Sequence, residues 1–214
     1  MGDAVVSASK SRDACKGQAM PPYSQRALNR VAHMPDTRIE RKIVSVFGGR
    51  HPAPGDEEYQ QAVKLGSLLV GRGFGVMSGG YSGVMEAVSR GAAEAGGAAI
   101  GVTMEIFGSL PPNPFLTSEI RSRNFFERLE ILTSKADGFI ALRGGMGTLT
   151  EIGLVWNMLQ TRTMLHKPLI LLGALWRPLL LAVSDHLVIS PKDLDLLHFV
   201  QSADEALDLL TQLI

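Results

Sequence analysis

Short apolar runs alternate with segments of helical periodicity from residue 42 to the end of the chain. The runs Lys42–Phe47, Phe74–Met77 and Ala98–Thr103 each border on glycine, which is typical of buried strands. Between the first two runs, apolar residues recur at helical spacing after Asp56, an N-cap residue type, and the pattern stops at Gly71. The first half of the chain is therefore expected to form strands joined by helices.

The same alternation continues to the C-terminus. Residues 104–122 contain three prolines and no regular pattern, so we expect an irregular connection of the kind that often covers a site. Strands separated by helices imply right-handed crossovers, and the predicted class is α/β: a single-domain, doubly wound, Rossmann-like parallel sheet with helices on both faces. Further strands are predicted at 137–142, 168–172 and 198–201, and further helices at 84–95, 124–134, 146–159, 176–186 and 203–214.

The first part of the chain differs from the rest. Residues 1–41 are rich in small, polar, prolyl and basic residues and lack hydrophobic periodicity. We predict a mobile N-terminal extension at 1–41, followed by a Rossmann-like nucleotide-binding domain at 42–214. The extension has no apolar core of a secretory signal, and no later stretch is long enough to span a bilayer, so we expect a cytoplasmic protein.

Composition narrows the partner classes. The chain carries 21 basic and 21 acidic residues, so no net charge favours nucleic acid or an anionic membrane as a partner. The single cysteine, Cys15, excludes an intramolecular disulfide. The five histidines lack metal-ligand spacing, and we therefore expect neither a metal nor another cofactor.

Two glycine-rich loops carry the candidate chemistry. Residues 78–83 follow the second strand, and residues 144–148 follow the strand at 137–142 and open a helix. Glycines allow backbone N–H groups to approach a ligand, and a helix N-terminus favours anions. In a parallel sheet both loops lie at the carboxyl edge, which predicts a nucleotide-sized ligand. Neither a Walker lysine nor a G-x-G-x-x-G fingerprint after the first strand is present, which disfavours P-loop and dinucleotide chemistry.

Several polar and aromatic residues near these loops have two interpretations. Thr148 and Glu151 have the T-x-x-E spacing of a capping box, and spacing alone favours that structural role over catalysis. Arg128 is by default a solvated arginine, but its helix precedes the strand at 137–142 and could reach the same sheet edge. Tyr81 is the better aromatic candidate for ligand contact, whereas Trp156 is expected to pack. Asn124 and Glu127 are expected to form a second helix cap.

Three motifs resemble the LOG (Lonely Guy) family, whose members are often described as possible lysine decarboxylases. Gly144–Glu151, with the sequence GGMGTLTE, resembles the family signature P-G-G-x-G-T-x-x-E. Ser78–Met85 is similar to the earlier loop G-G-G-x-x-G-L-M, and Glu127-Arg128 falls where the family has E-R-K. The resemblance extends from about Lys42 onward. Nothing in these motifs marks a pyridoxal phosphate lysine, so decarboxylation finds no support.

The resemblance implies a phosphoribohydrolase. Such an enzyme cleaves the N-glycosidic bond of a nucleoside 5′-monophosphate, here AMP or a modified purine nucleotide, to free base and ribose 5-phosphate. The family's catalytic glutamate and arginine correspond to Glu151 and Arg128, and family members are commonly homodimers. The candidate phosphate- and nucleotide-binding residues are Gly79, Gly80, Gly83, Arg143, Gly144, Gly145, Gly147 and Thr148.

The sequence also departs from the family pattern. Arg143 replaces the motif proline, where it could add a phosphate contact or fill the pocket; Leu129 replaces the lysine of E-R-K, and Ser78 replaces a glycine. These changes keep a rival interpretation open, a nucleotide-binding or molybdenum cofactor carrier protein that uses the same pocket without hydrolysis. A third interpretation is a pseudoenzyme whose phosphate site Arg143 occupies.

Overall fold

A parallel β-sheet organises the computed structural model, which describes residues 41–108 and 110–214. Seven strands pair in the order β4-β3-β2-β1-β5-β6-β7, and every pairing is parallel. The strands are β1 (Ile43–Phe47), β2 (Gly75–Ser78), β3 (Ala99–Met104), β4 (Ser118–Ser122), β5 (Gly138–Ala141), β6 (Leu169–Leu172) and β7 (Leu197–Val200). The helices are α1 (Glu57–Gly71), α2 (Val84–Glu94), α3 (Phe125–Ser134), α4 (Met146–Gln160), α5 (Trp176–His186), α6 (Pro191–Leu194) and α7 (Ala203–Leu213).

The strand order reverses at β1. The chain moves outward from β1 through β2 and β3 to β4, and β5 then returns to pair with the other side of β1. In that pairing Val44 lies opposite Gly138 and Phe47 opposite Ala141. Loops leaving β1 and β5 therefore diverge at the carboxyl edge, and ligands bind in the crevice that such a reversal opens.

Alternating side chains place one hydrophobic core on each face of the sheet. Val44 and Val46 of β1 belong to the core that includes buried residues of α1, α2 and α7. Phe47 belongs to the opposite core, together with buried residues of α3, α4 and α5. Because strand side chains alternate between faces, a sheet with apolar residues on both faces needs helices on both. The predicted doubly wound α/β fold is confirmed.

One predicted loop contains a strand. Residues 104–122 were expected to be irregular throughout, but Ser118–Ser122 forms the edge strand β4 and pairs with β3 from Ile100↔Ser118 to Met104↔Ser122. Its sequence is SEIRS, and most of its residues are exposed. An exposed edge strand needs little apolar surface, so hydrophobic patterning does not reveal it. A 3₁₀ turn at Glu105–Phe107 also lies in this segment.

The predicted N-terminal extension lies almost wholly outside the described residues, as does Cys15. Its mobility stays a prediction. No helix in the described ranges is both long enough and apolar enough to cross a membrane.

Candidate active site

The loop after β5 begins the site. α4 starts at Met146 with Gly145 as its N-cap residue, so its first N–H groups face the carboxyl edge of the sheet. A side chain at Gly144 would overlap the Thr148 hydroxyl, whereas Cβ atoms at Gly145 and Gly147 would meet nothing within 4 Å. The loop therefore packs on one side and leaves open space on the other, as a phosphate cradle requires.

The loop after β2 packs against the chain just after the carboxyl end of β1. Gly80 and Gly83 adopt φ values of 80° and 76°, which favour glycine. A Cβ at Gly83 would overlap the carbonyl oxygen of Gly49, the residue two positions after β1. Gly49 accepts a hydrogen bond from the Val84 N–H (2.9 Å) and donates one to the Arg143 carbonyl (3.0 Å). Through Gly49, β1 holds both glycine loops together.

Arg128 reaches this edge from the first turns of α3. Its Nε–H donates to the Val102 carbonyl of β3 at 2.8 Å, and only 8% of the residue is exposed. A Cβ at Gly79 would overlap the Nη2 atom of Arg128. Glycine at position 79 thus makes room for the guanidinium, and Arg128 is buried beside the first glycine loop rather than solvated.

Glu151 lies opposite Arg128. Its Oε1 is 3.8 Å from Arg128 Nη1, and each side chain is 10% exposed. Burial raises the pKa of Glu151 to about 7, although the charge of Arg128 opposes that rise. Burial also lowers the pKa of Arg128, but an arginine stays protonated. The site therefore holds a fixed buried cation and an acid able to change charge near neutral pH.

The capping-box interpretation of Thr148 and Glu151 is wrong. α4 begins before Thr148, with Gly145 as its N-cap and no side-chain cap bond, which places Thr148 and Glu151 inside the helix and buries both. The second predicted cap is confirmed. Asn124 accepts the Glu127 N–H at 3.0 Å, and Glu127 accepts the Arg123 N–H at 2.7 Å.

Both aromatic candidates make contacts within the protein. Tyr81 is 4% exposed, and its hydroxyl accepts the Met104 N–H at 2.9 Å. Its ring also packs edge-on against Phe107, with centroids 6.0 Å apart. A ring held in this way supports the site rather than offering a free face to a base. Trp156 donates to the Asp193 carbonyl at 2.7 Å, in keeping with the predicted packing role.

The two main departures from the LOG pattern lie in different environments. The Arg143 side chain is 67% exposed and pairs with Glu58 of α1 at 3.2 Å. Leu129 is 7% exposed, so the position of the family lysine is buried here. In this structure Arg143 makes a surface ion pair, and Leu129 is a buried apolar residue directly after Arg128 in the sequence.

Sequence inspection missed the contribution of the loop after β1. Gly48, Gly49 and Arg50 directly follow a buried central strand, a position that itself indicates the carboxyl edge. The loop was overlooked because its glycines match no known glycine-rich fingerprint. Across the described segments, no group of three or more His, Cys, Asp or Glu side chains is placed to hold a metal ion.

Fold and site together define a class of protein. It is a doubly wound α/β protein with two glycine loops and a buried arginine–glutamate pair at the carboxyl edge of its parallel sheet. The family model described as "Possible lysine decarboxylase" matches residues 85–210, a range that contains Arg128 and Glu151. The chain belongs to this family, in which the LOG proteins fall.

Named relatives agree with this assignment. The chain is 37% identical over 134 residues to a rice protein named probable cytokinin riboside 5′-monophosphate phosphoribohydrolase LOGL5, a match covering 61% of this chain and 53% of the rice protein. It thus spans about half the length of that relative. It is 32% identical over 146 residues to a Rhodococcoides fascians cytokinin riboside 5′-monophosphate phosphoribohydrolase, covering 65% of this chain and 72% of that protein.

Solved structures of a second kind share the fold. A molybdenum cofactor binding protein from Rippkaea orientalis superposes with a TM-score of 0.65 and 25% identity, covering 80% of this chain and 96% of that one. A molybdenum cofactor carrier protein from Chlamydomonas reinhardtii gives a TM-score of 0.64 at 26% identity, covering 80% and 97%. The chain therefore resembles both hydrolases and carriers.

Proposed function

We propose that this protein hydrolyses the N-glycosidic bond of a purine nucleoside 5′-monophosphate, releasing the free base and ribose 5-phosphate. The observation that carries the proposal is the buried pair of Arg128 and Glu151, 3.8 Å apart beside two glycine loops. A purely structural pair gains little from burial, because removing two charges from water costs more than their attraction commonly returns. A reaction that develops charge at that point gives the pair a purpose.

The chemistry follows from the charge that builds on the sugar. As the bond from C1′ to the base nitrogen breaks, its electron pair leaves with the base and the ribose ring becomes cationic. The Glu151 carboxylate stabilises that cation and orients a water molecule toward C1′. The water oxygen bonds to C1′, one of its protons is released, and the departing base takes up a proton. Arg128 neutralises negative charge on the phosphate or the leaving base.

Binding falls to the loops. The N–H groups of Gly145, Gly147 and Thr148 lie at or near the start of α4, where backbone donors and the helix dipole favour a 5′-phosphate. Gly79, Gly80 and Gly83 belong to the first glycine loop, residues 78–83, which packs against Gly49 just after the carboxyl end of β1. Anchoring the phosphate fixes the ribose, so that C1′ lies between the loops and Glu151.

A carrier function is the second candidate, and the likeness to molybdenum cofactor carrier proteins favours it. In that case the same loops hold a phosphorylated ligand, and Glu151 has no catalytic task. We further infer a cytoplasmic homodimer that binds neither nucleic acid nor a membrane, as the family resemblance and the balanced charge suggest.

Turnover separates the two candidates. Purified protein is incubated with AMP and with N6-modified adenosine monophosphates, and free base and ribose 5-phosphate are quantified by chromatography. The hydrolase proposal expects equal amounts of both products, and a loss of at least about 100-fold in Glu151→Gln. Glu130→Gln, which removes an exposed carboxylate from the same side of the sheet, serves as the control. Absence of products, with cofactor retained on purification, supports the carrier instead.

A further inference from the structure

One arginine at the carboxyl edge has no part in the function described so far. Arg50 follows β1, the strand at which the sheet order reverses, and comes directly after Gly49. Its guanidinium carbon lies 5.9 Å from the ring centroid of Tyr81. The guanidinium carbon of Arg128 lies 6.0 Å from the same centroid. The two cations are therefore no farther apart than the sum of these distances, within the span of a nucleoside monophosphate.

The backbone of Arg50 is fixed more tightly than its exposure suggests. A Cβ at Gly83 would lie 2.6 Å from the Cα and the carbonyl carbon of Arg50, so the first glycine loop packs directly on this residue. The preceding residue, Gly49, is hydrogen-bonded to Val84 and Arg143, which directly flank the two glycine loops. Arg50 thus has an anchored main chain and an exposed side chain, an arrangement suited to meeting a ligand that enters between the loops.

Charge distinguishes Arg50 from Arg128 and Arg143, the two arginines that the sequence offered as site residues. Arg128 is paired with Glu151, and Arg143 is paired with Glu58. Among the residues that the structure describes, no carboxylate forms an ion pair with Arg50. The aromatic face of Tyr81 holds its guanidinium without neutralising it. Because Glu151 already pairs with Arg128, a dianionic phosphate bound at the loop amides calls for a second cation without a carboxylate partner, and Arg50 supplies it.

We propose that Arg50 binds the 5′-phosphate of the substrate and makes the site select nucleotides over nucleosides. The inference rests on the proposed function for the identity of the phosphate ester, but not on turnover. Arg50 is a specificity-determining residue here, and Tyr81 is the positioning residue that holds it. An arginine fork gives a phosphate two charge-assisted hydrogen bonds, whereas a lysine offers only a point charge.

Binding of a product tests this without catalysis. The affinities of ribose 5-phosphate and of ribose are measured by isothermal titration calorimetry on the full chain, for the wild type, Arg50→Gln and Arg50→Lys. Arg72→Gln is the matched control, because Arg72 is also exposed and lies at the end of α1, before β2 begins, where it pairs with Asp208 at 3.8 Å. We expect Arg50→Gln to lower the affinity for ribose 5-phosphate at least about tenfold. Arg50→Lys should lower this affinity less, and Arg72→Gln should leave it unchanged.

Kinetics separates a phosphate contact from a general disturbance of the site. With AMP as substrate, Arg50→Gln is expected to raise KM about tenfold while kcat changes little, and the residual cleavage of adenosine stays the same. Equal losses with AMP and adenosine, unchanged affinity for ribose 5-phosphate in Arg50→Gln, or a wild type that does not bind ribose 5-phosphate would each overturn the inference. A wild type that binds ribose 5-phosphate through Arg50 but releases no base refutes the hydrolase alone.

Discussion

Replacing Glu151 by glutamine should change how the stability of this protein depends on pH. Glu151 is buried beside Arg128, and burial raises its pKa to about 7 from an ordinary value of 4.5. The folded protein therefore keeps a proton on this carboxyl at pH values where the unfolded chain has released it. In that window the folded state binds more protons, so stability falls as pH rises. Glutamine is nearly isosteric and cannot titrate.

The expected magnitude follows from the size of the shift. Each pKa unit corresponds to about 1.4 kcal/mol, so a rise from 4.5 to about 7 makes ionised Glu151 cost the folded state about 3 kcal/mol. At pH 4 the carboxyl is protonated in both states, and the wild type and Glu151→Gln should be similarly stable. By pH 8 the full cost is present in the wild type only. The stability advantage of the variant should therefore grow by about 3 kcal/mol between these pH values.

Urea unfolding followed by circular dichroism at pH 4, 5, 6, 7 and 8 measures this difference, with free energies obtained by linear extrapolation. Glu130→Gln removes an exposed carboxylate from α3 and corrects for the loss of one negative charge. The quantity of interest is the difference between each variant and the wild type at the same pH, because other groups titrate equally in all three proteins.

Two results would refute the reasoning. A difference between Glu151→Gln and the wild type that stays constant from pH 4 to pH 8 would mean that burial does not perturb Glu151. A difference that shrinks as pH rises would mean that the attraction of Arg128 outweighs the cost of burial and holds the carboxylate ionised. Either outcome would mean that the Glu151 carboxyl loses its proton well below neutral pH, so that the resting site carries a negative charge at pH 7.

Three further predictions concern activity. If the carboxylate of Glu151 is the active form, kcat/KM for AMP should rise with pH through about 7. Initial rates measured from pH 5 to 9 test this expectation. A fall in kcat/KM above pH 7 would instead assign Glu151 the role of a general acid. Gly79→Ala should displace the Arg128 guanidinium and lower kcat about 100-fold. Gly153→Ala is the control, because Gly153 is an exposed helix position where a new Cβ would meet nothing within 4 Å. This variant should leave kcat unchanged and stabilise α4 by about 0.5–1 kcal/mol. Arg143→Pro should change kcat/KM by no more than about twofold. The arginine side chain makes only an exposed ion pair, and proline keeps the backbone carbonyl that accepts the Gly49 N–H. A large gain in activity would show that Arg143 obstructs the pocket.

Hydrophobic patterning was sufficient for most of the fold. Buried strands such as Gly138–Ala141 and Leu169–Leu172 are continuous apolar runs, because helices cover both faces of the sheet. The edge strand Ser118–Ser122 has no such requirement, since most of its residues face solvent, and its sequence resembles a loop. Local pattern therefore detects a strand only where burial on both faces constrains its composition.

The site was predictable in its residue types and less so in their roles. Glu151 has the spacing of a capping residue, and only the start of α4 at Met146 shows that it lies inside the helix. Arg128 resembles any arginine one turn into a surface helix until β3 supplies the carbonyl of Val102 as its partner. Arg50 follows no recognised motif, and its relevance depends on Tyr81, which is distant in sequence.

The sequence by itself determined the alternation of strands and helices, the two glycine loops and the identity of the acid and the arginine. These depend on local periodicity and on residue type, which short-range physics links to structure. Only the tertiary structure decided that Glu151 and Arg128 meet in a buried pair and that Gly49 joins the two loops. Those contacts connect segments far apart in the chain, and the desolvation that raises the pKa of Glu151 arises only when the sheet and the helices pack around it.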